Sequence, residues 1–408
     1  NEKPGKSGFA HLFEHLMFNG SEHFNTDYFK ALESIGATDL NGTTNTDRTN
    51  YFQNVPLSAF DQVLWLESDR MGHLLGVIDQ ARLDEQRGVV QNEKRQGENQ
   101  PYGREWEMAT KASYPAGHPY SWTVIGSMED LNAASLEDVK DWFKTYYGPA
   151  NATLVIAGDV KPAEVLEKVK SYFGNIPSGP TLARHTVNIA KRNEDTRQHY
   201  EDRVTEPRIS MMWNVPQWGT QEGMHLSLAS SILTSGKSSR LYKKLVYDDQ
   251  TASYVFSFVD KQEISGNFYI AIGVKPTSNY SKVEATANEV LKEFLDKGIT
   301  EQELQRVKSQ YFANFIKGME RIGGFGGKSD ILAESYVYGG TPDYYKKELQ
   351  WVISATPADI HQAVKKWLSS GKHTIVCTPF PNYLVSGTEA DRSKLPALTT
   401  QPPSTFPD

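Results

Sequence analysis

The chain carries two histidines and a glutamate at a spacing that suits metal-assisted hydrolysis. His11 and His15 stand four residues apart in a stretch, residues 8–18, whose apolar side chains recur at helical spacing. One helical turn separates such residues, so both imidazoles share a face and can bind one metal ion. Glu14 projects beside them, where an unligated carboxylate can take a proton from a metal-bound water. The order His-x-x-Glu-His inverts the commoner His-Glu-x-x-His motif.

The alternative for this segment is a solvated helix face with two unrelated histidines. A surface helix is rarely apolar nearly all round, whereas this segment has apolar residues on nearly every side. The flanking apolar residues are Phe9, Leu12, Phe13, Leu16, Met17 and Phe18. They favour a helix packed into the interior, and residues 19–21 (Asn-Gly-Ser) are predicted to end it.

Two histidines leave a zinc site incomplete, since catalytic zinc typically has three protein ligands and one position for water. Glu93 is the first candidate for the third ligand. In a helix predicted over residues 81–97 it shares a face with Val89 and Val90, so its carboxylate is expected to point inward. Glu85 lies on the same stripe and competes for this role. The alternative for either residue is an ordinary exposed helix acid.

Length and composition describe a globular protein of two domains, because 408 residues exceed the usual size of one hydrophobic core. Apolar residues make up 38% and charged residues 23%, which does not favour disorder. The net charge of -7 with interleaved Lys and Arg excludes a basic surface for nucleic acid.

No apolar stretch predicts a membrane span, and the polar start is not a signal peptide. Cys377, the single cysteine, excludes an internal disulfide and is expected in a buried strand.

Two segments about 220 residues apart share one pattern and indicate a duplicated α/β domain. Capping boxes, Ser135-x-x-Asp138 and Thr356-x-x-Asp359, each begin a helix. An apolar strand is predicted after each helix, at residues 153–157 and 374–378. Convergence of common α/β patterns is the alternative.

Residues 175–181 are rich in turn formers and predict the domain boundary. We therefore predict an N-terminal metal-binding domain over residues 1–180 and a related C-terminal domain without a metal site over residues 181–385. Pro, Ser and Thr dominate residues 386–408, which are interpreted as a linker or tail.

Four segments resemble the pitrilysin and insulin-degrading-enzyme family of zinc metallopeptidases, especially its shorter members related to mitochondrial processing peptidase. These segments are residues 5–20, 87–93, 117–120 and 238–242. The likeness extends over most of the chain. In that family the third zinc ligand is a glutamate in a Val-Val-x-x-Glu context, which Glu93 fits. The resemblance implies one Zn²⁺ per chain, bound by His11, His15 and Glu93, with Glu14 as the general base.

The resemblance also implies a fold, a substrate and a partner. The implied fold class is α/β, with two related domains in each half-unit, each a mostly antiparallel sheet packed against helices. Two half-units close like a clamshell around a peptide. The peptide binds as an added β-strand on an exposed sheet edge, where main-chain hydrogen bonds serve any sequence. By resemblance this edge is residues 40–44, with Asn41, Gly42 and Thr43 as substrate-binding residues; a plain loop is the alternative.

Two departures from the family pattern concern side chains near the metal. Gln86 replaces an accessory glutamate expected seven residues before the third ligand, and Glu85 stands one place away. Fully active relatives carry an Arg and a Tyr seven residues apart that bind the substrate carbonyl. Here Tyr254 matches the Tyr, but Tyr247 stands at the Arg position. The nearest arginine, Arg240, has a structural role as its alternative, so a second half-unit is expected to supply the Arg and Tyr pair.

A third departure lies at the start, where the motif begins at residue 11 although family domains first form one or two strands. The N-terminal domain is therefore expected to lack its first strands. A location outside the cytoplasm, such as the periplasm of a bacterium, is favoured. The predicted function is a zinc-dependent endopeptidase half-unit that hydrolyses peptides or unfolded segments in a closed chamber. The alternative is a catalytically weak or silent half-unit that binds peptides or has a structural role in a larger complex.

Overall fold

The computed structural model describes residues 2–381, so the predicted linker or tail at residues 386–408 lies outside the described residues. Helices dominate the part before residue 180. They are Phe9–Leu16 (α1), Tyr28–Ser34 (α2), Phe60–Gly72 (α3), Gln80–Glu98 (α4), Glu105–Ser113 (α5), Met128–Ala133 (α6), Leu136–Tyr146 (α7) and Pro162–Phe173 (α8). Helix α4 matches its predicted bounds to within one residue at each end. No helix within residues 2–381 is long and apolar enough to cross a membrane.

A two-stranded antiparallel hairpin lies beside these helices. Its strands are Thr38–Thr44 (β1) and Thr49–Asn54 (β2), with Gly42 opposite Tyr51 and Thr44 opposite Thr49. The register shifts between Thr38 and Asn41, at the start of the hairpin. Strand β1, which contains the predicted substrate edge at residues 40–44, is therefore paired along one edge by β2.

The second sheet has five strands in the order β3-β7-β4-β6-β5. They are Thr196–Asp202 (β3), Arg208–Val215 (β4), Ala252–Lys261 (β5), Gly266–Val274 (β6) and His373–Pro379 (β7). All neighbours are antiparallel except β3 and β7, which are parallel. Cys377 is buried in β7, as predicted.

Helices cover this sheet and form the largest core. They are Gln221–Thr234 (α9), Tyr280–Lys297 (α10), Glu301–Glu320 (α11), Lys328–Gly339 (α12), Tyr345–Ser354 (α13) and Pro357–Leu368 (α14), with a π-helical turn at Tyr242–Asp248. Side chains of β4 and β6, including Ile209, Met211 and Phe268, pack with Leu226 and Leu233 of α9. Sheets packed against helices confirm the predicted α/β fold class.

The internal repeat holds for the helices but not for both strands. The capping boxes at Ser135 and Thr356 are present and begin α7 and α14. The strand predicted at residues 374–378 forms β7, whereas residues 153–157 form no strand. A strand requires a neighbour for its ladder hydrogen bonds. Within residues 2–381, the segment 153–157 has no backbone partner, and Leu154 is 48% exposed.

The turn of the β1–β2 hairpin is attached to the second sheet. Asp47 accepts hydrogen bonds from the Tyr120 hydroxyl and from the backbone N–H of Glu263 at 2.9 Å. Gln262 donates to the Thr46 hydroxyl at 3.2 Å. Residues 262–265 join β5 to β6, so these contacts hold the hairpin turn against one corner of the five-stranded sheet.

This corner makes stability depend on pH through Asp260. Burial, then the nearby charge of Asp47, raises the pKa of Asp260 to about 6, against about 3.9 in an unfolded chain. A raised carboxyl pKa means that protonation favours the folded state, so this stabilisation is present below pH 4 and is lost as pH rises through 6. We expect Asp260→Asn to raise the free energy of unfolding relative to wild type by roughly 1–3 kcal/mol more at pH 7.5 than at pH 4.5.

Denaturant titrations at both pH values measure this difference. Asp141→Asn, at an exposed acid on α7, is the matched control and should behave like wild type at both pH values. An equal effect of Asp260→Asn at pH 7.5 and pH 4.5 would contradict the prediction.

Candidate metal centre

Helix α1 begins at a backbone position that suits glycine. Gly8 has φ 86°, and a Cβ there would lie 2.7 Å from the carbonyl oxygen of Ile125. The Glu2 carboxylate accepts hydrogen bonds from the N–H groups of Gly8 at 3.1 Å and Ala10 at 2.9 Å. An acid at this end also interacts favourably with the helix dipole. The buried apolar side chains of α1 are Phe9, Leu12, Phe13 and Leu16. Their packing leaves the two histidines on one shared face.

The structure brings His11, His15 and Glu93 together. The Nε2 atoms of the two histidines are 3.4 Å apart. Oε2 of Glu93 lies 3.6 Å from Nε2 of His11 and 3.4 Å from Nε2 of His15. In a tetrahedral zinc site with bonds of about 2.0–2.1 Å, ligand atoms stand about 3.3–3.4 Å from one another. The three side chains therefore fit one zinc ion by spacing and by donor type.

The protonation of His11 also suits metal binding. Burial, and then the neighbouring His15, lowers the pKa of His11 to about 4. Its imidazole is therefore neutral at pH 7, and neutral imidazole is the form that binds a metal. The His11 and His15 rings meet edge to face, with centroids 4.9 Å apart.

Packing of α4 against α1 positions Glu93. Asp79 begins α4 by accepting a hydrogen bond from the N–H of Arg82 at 2.9 Å. Leu83, Gln86 and Val90 are buried on the side of α4 that faces the core. Glu93 lies at the margin of this stripe, with its side chain 42% exposed but its carboxylate against the histidines.

The prediction of which face of α4 points inward is partly wrong. Val89, predicted to share an inward face with Glu93, is 38% exposed, whereas Val90 is fully buried. The inward stripe therefore passes through Gln86 and Val90, and Glu85 is exposed on the other side. This removes Glu85 from the cluster of ligand atoms that His11, His15 and Glu93 form. Gln86 is buried, and its accessory role stays a prediction.

Glu14 is buried beside the histidines and contacts the hairpin. The Thr44 hydroxyl donates to its Oε2 at 2.6 Å. Burial raises the pKa of Glu14, and this hydrogen bond opposes the rise. The contact with Thr44 joins residues far apart in sequence, and no spacing pattern in the chain indicates it. It orients the carboxylate predicted to act as the base.

Strand β1 passes directly over Glu14. A Cβ on Gly42 would lie 2.8 Å from the Phe18 ring and 3.2 Å from Oε1 of Glu14, so glycine permits this close approach. The N–H of Gly42 donates to the side chain of Asn41 at 2.9 Å, and the Thr43 hydroxyl donates to Asn50 at 2.6 Å. Within residues 2–381, β2 is the strand that pairs with β1. The predicted peptide-binding residues thus lie on a sheet edge above the predicted base.

The residues compared with the Arg and Tyr pair lie elsewhere. Tyr247 is 67% exposed on the π-helical turn. Arg240 donates to Glu303 at 2.7 Å and to the carbonyl of Gly298 at 2.8 Å, which is a structural role. Tyr254 lies on β5 and stacks on Phe256. Among the described contacts, none joins these three side chains to the histidine cluster.

Comparison with known proteins now identifies the family. The profile described as Insulinase (Peptidase family M16) matches residues 1–118, and the profile described as Peptidase M16 inactive domain matches residues 133–311. The zinc protease PqqE of Helicobacter pylori is 30% identical over 362 residues, which cover 87% of this chain and 80% of PqqE. The chain belongs to peptidase family M16.

Solved structures agree with this assignment. The M16 chain superposes on a protease from Helicobacter pylori with a TM-score of 0.84 and 26% identity, covering 93% of the chain and 91% of that protein. It also superposes on the periplasmic protease PqqL from Escherichia coli, with a TM-score of 0.74 and 16% identity. That match covers 93% of the M16 chain but 43% of PqqL. At this identity the second match shows the shared fold alone, and the M16 chain corresponds to less than half of PqqL.

Proposed function

We propose that this chain is the zinc-carrying half-unit of a metalloendopeptidase. The observation that carries the proposal is the cluster of His11, His15 and Glu93 with Glu14 beside it. Three ligand atoms lie within 4.8 Å of one another. The names of the M16 relatives, which include a zinc protease, support zinc as the metal. This cluster accounts for one catalytic zinc ion per chain.

In this proposal three side chains bind the metal and a fourth transfers a proton. His11, His15 and Glu93 would hold the ion, which would supply an acidified water and a positive charge. Glu14 takes the proton of the attacking water and passes it to the departing amine. Thr44 positions Glu14 by donating to its Oε2 at 2.6 Å.

The proposed substrate is an extended peptide that adds to the edge of β1. Main-chain hydrogen bonds bind such a peptide whatever its sequence, and they place a carbonyl of the peptide above Glu14. The N–H of Gly42 is already paired with the Asn41 side chain, so an incoming strand exchanges that bond for one of its own. Polar residues Asn41 and Thr43 flank this position.

We further propose that a second half-unit closes over the hairpin. The match to less than half of PqqL supports a half-unit within a larger arrangement. PqqL from Escherichia coli is a periplasmic protease, which favours a similar location for this chain.

A combined measurement of zinc content and peptide cleavage tests the proposal. The purified chain is assayed on a quenched unstructured peptide, alone and with a second M16 half-unit, and zinc is measured in the same samples. A chelator should abolish cleavage, and added zinc should restore it. Bound zinc without cleavage in either sample would instead support a silent structural or peptide-binding half-unit.

Glu93→Gln tests the third ligand. Loss of a residue that binds the metal directly is expected to weaken zinc binding more than about 100-fold. Residues that only hydrogen-bond to a ligand typically contribute 10–100-fold. Competition with a fluorescent zinc chelator measures the change. Glu85→Gln, eight residues earlier and exposed on the same helix, is the matched control and should bind zinc as wild type does. If Glu85→Gln weakens binding and Glu93→Gln does not, the assignment of Glu93 is wrong.

A further inference from the structure

We propose that Glu22, His23 and His73 form a second site for a divalent transition metal. Within residues 2–381, this is the other group of three metal-binding side chains whose ligand atoms lie within 4.8 Å of one another. It lies on the surface, between the segment that follows α1 and the C-terminal end of α3. The inference does not depend on the proposed peptidase activity.

One pair of these side chains already has the spacing that a metal requires. Oε2 of Glu22 lies 3.4 Å from Nδ1 of His73, close to the about 3.3–3.4 Å between ligands of tetrahedral zinc. The rings of His23 and His73 meet edge to face with centroids 4.7 Å apart. Two imidazoles and one carboxylate are a donor set that suits zinc, nickel and copper rather than calcium or magnesium.

A buried carboxylate orients one of these histidines. Asp69 is 4% exposed, and its Oδ1 lies 2.6 Å from Nδ1 of His23. Its Oδ2 also accepts from the backbone N–H of His23 at 3.3 Å. With Nδ1 paired in this way, Nε2 of His23 is the nitrogen available to a metal. Carboxylate, histidine and metal arranged in this order are the usual outer support of a zinc site.

The backbone holds the other two ligands in place. The N–H of Glu22 donates to the carbonyl of His73 at 2.9 Å, and the N–H of His73 donates to the carbonyl of Asp69 at 2.7 Å. A Cβ on Gly76 would lie 3.1 Å from Cδ of Glu22, so the Glu22 side chain packs against the glycine. Glu22, His23 and His73 thus stand on two backbone segments that are hydrogen-bonded together.

The exposure of the three ligands indicates an open and weaker site than the first. The side chains of Glu22, His23 and His73 are 53%, 54% and 51% exposed, which would leave room for water on a bound ion. A bound ion would link residues 22 and 23, just after the helix that carries His11 and His15, to the end of α3. The expected consequence is stabilisation of the folded chain by zinc in excess of one equivalent.

Zinc stoichiometry tests this site without reference to activity. Equilibrium dialysis against buffered free zinc, followed by elemental analysis, should give two equivalents for wild type and one for H23A/H73A. The variant H11A/H15A should also bind one equivalent, and the fourfold variant none. Both replaced surface histidines are half exposed, so H23A/H73A should fold normally, and H185A serves as the control for an exposed histidine.

A second variant separates coordination from general surface charge. Asp69→Asn keeps the shape of a buried side chain but weakens the support of His23, so the affinity of the second site should fall about 10–100-fold. The first zinc equivalent should be unchanged. Equal stoichiometry and equal affinity in wild type and H23A/H73A would overturn the proposal.

Discussion

Glu14→Gln is expected to lower the rate of peptide hydrolysis by a hundredfold or more while zinc binding stays at the wild-type level. The amide has the size of the carboxylate but cannot accept the proton, and a positioned base typically contributes 10²–10⁴-fold. Glu14 contacts Thr44 rather than the ligand atoms of His11, His15 and Glu93, so the arrangement of these three ligands should remain. Zinc analysis and initial rates on one peptide measure both effects.

Two controls accompany this variant. Glu85→Gln removes an exposed acid from the neighbouring helix α4 and should leave the rate unchanged. Thr44→Val removes the hydrogen bond to Glu14 and should lower the rate by less than Glu14→Gln, with zinc retained. Loss of zinc from Glu14→Gln would make Glu14 a ligand or a structural residue, and the proposed role as a base would be wrong.

The isolated chain is expected to be a weak peptidase that gains about 100–1000-fold when a second half-unit supplies an Arg and a Tyr. A developing oxyanion is stabilised by each preplaced donor, and loss of one typically costs this factor. Tyr247 stands at the position where the family resemblance implies an Arg, yet it is 67% exposed and lacks the forked charged donor of arginine. Arg240 is occupied by its ion pair with Glu303.

Assays of the chain alone and after mixing with a second M16 half-unit, on the same unstructured peptide, measure this gain. A half-unit whose Arg and Tyr are replaced is the matched control. It should still bind the chain in gel filtration but should not restore the rate. Full activity of the isolated monomer would contradict the proposal, as would equal activation by the control half-unit.

Local physics explains what could be predicted without a structure. The spacing of His11 and His15 fixes their common face because one helical turn brings residues i and i+4 together. The capping boxes at Ser135 and Thr356 are equally local, since each joins residues three apart, and both are present. Helix α4 was predictable to within one residue at each end because its pattern is long and continuous.

Contacts between distant segments required the tertiary structure. Periodicity left Glu85 and Glu93 as competitors, and only the packing of α4 on α1 places Glu93 against the histidines and exposes Glu85. The same packing exposes Val89, so the predicted face was wrong by part of a turn. Helical spacing gives relative directions within one helix, whereas a neighbouring element decides which direction is inward.

The apolar run at residues 153–157 shows the same limit for strands. Its composition predicts a strand, but a strand forms where a neighbour accepts its hydrogen bonds, and among residues 2–381 that segment has no backbone partner. The hydrogen bond from Thr44 to Glu14 and the approach of Asp69 to His23 are likewise long-range contacts. The amino-acid order alone therefore indicates the helix that carries His11 and His15, the family and the α/β class. The packing of separate helices and strands decides the rest, and no local spacing encodes that packing. It decides which acid joins the histidines, what lies over Glu14 and how Glu22, His23 and His73 meet.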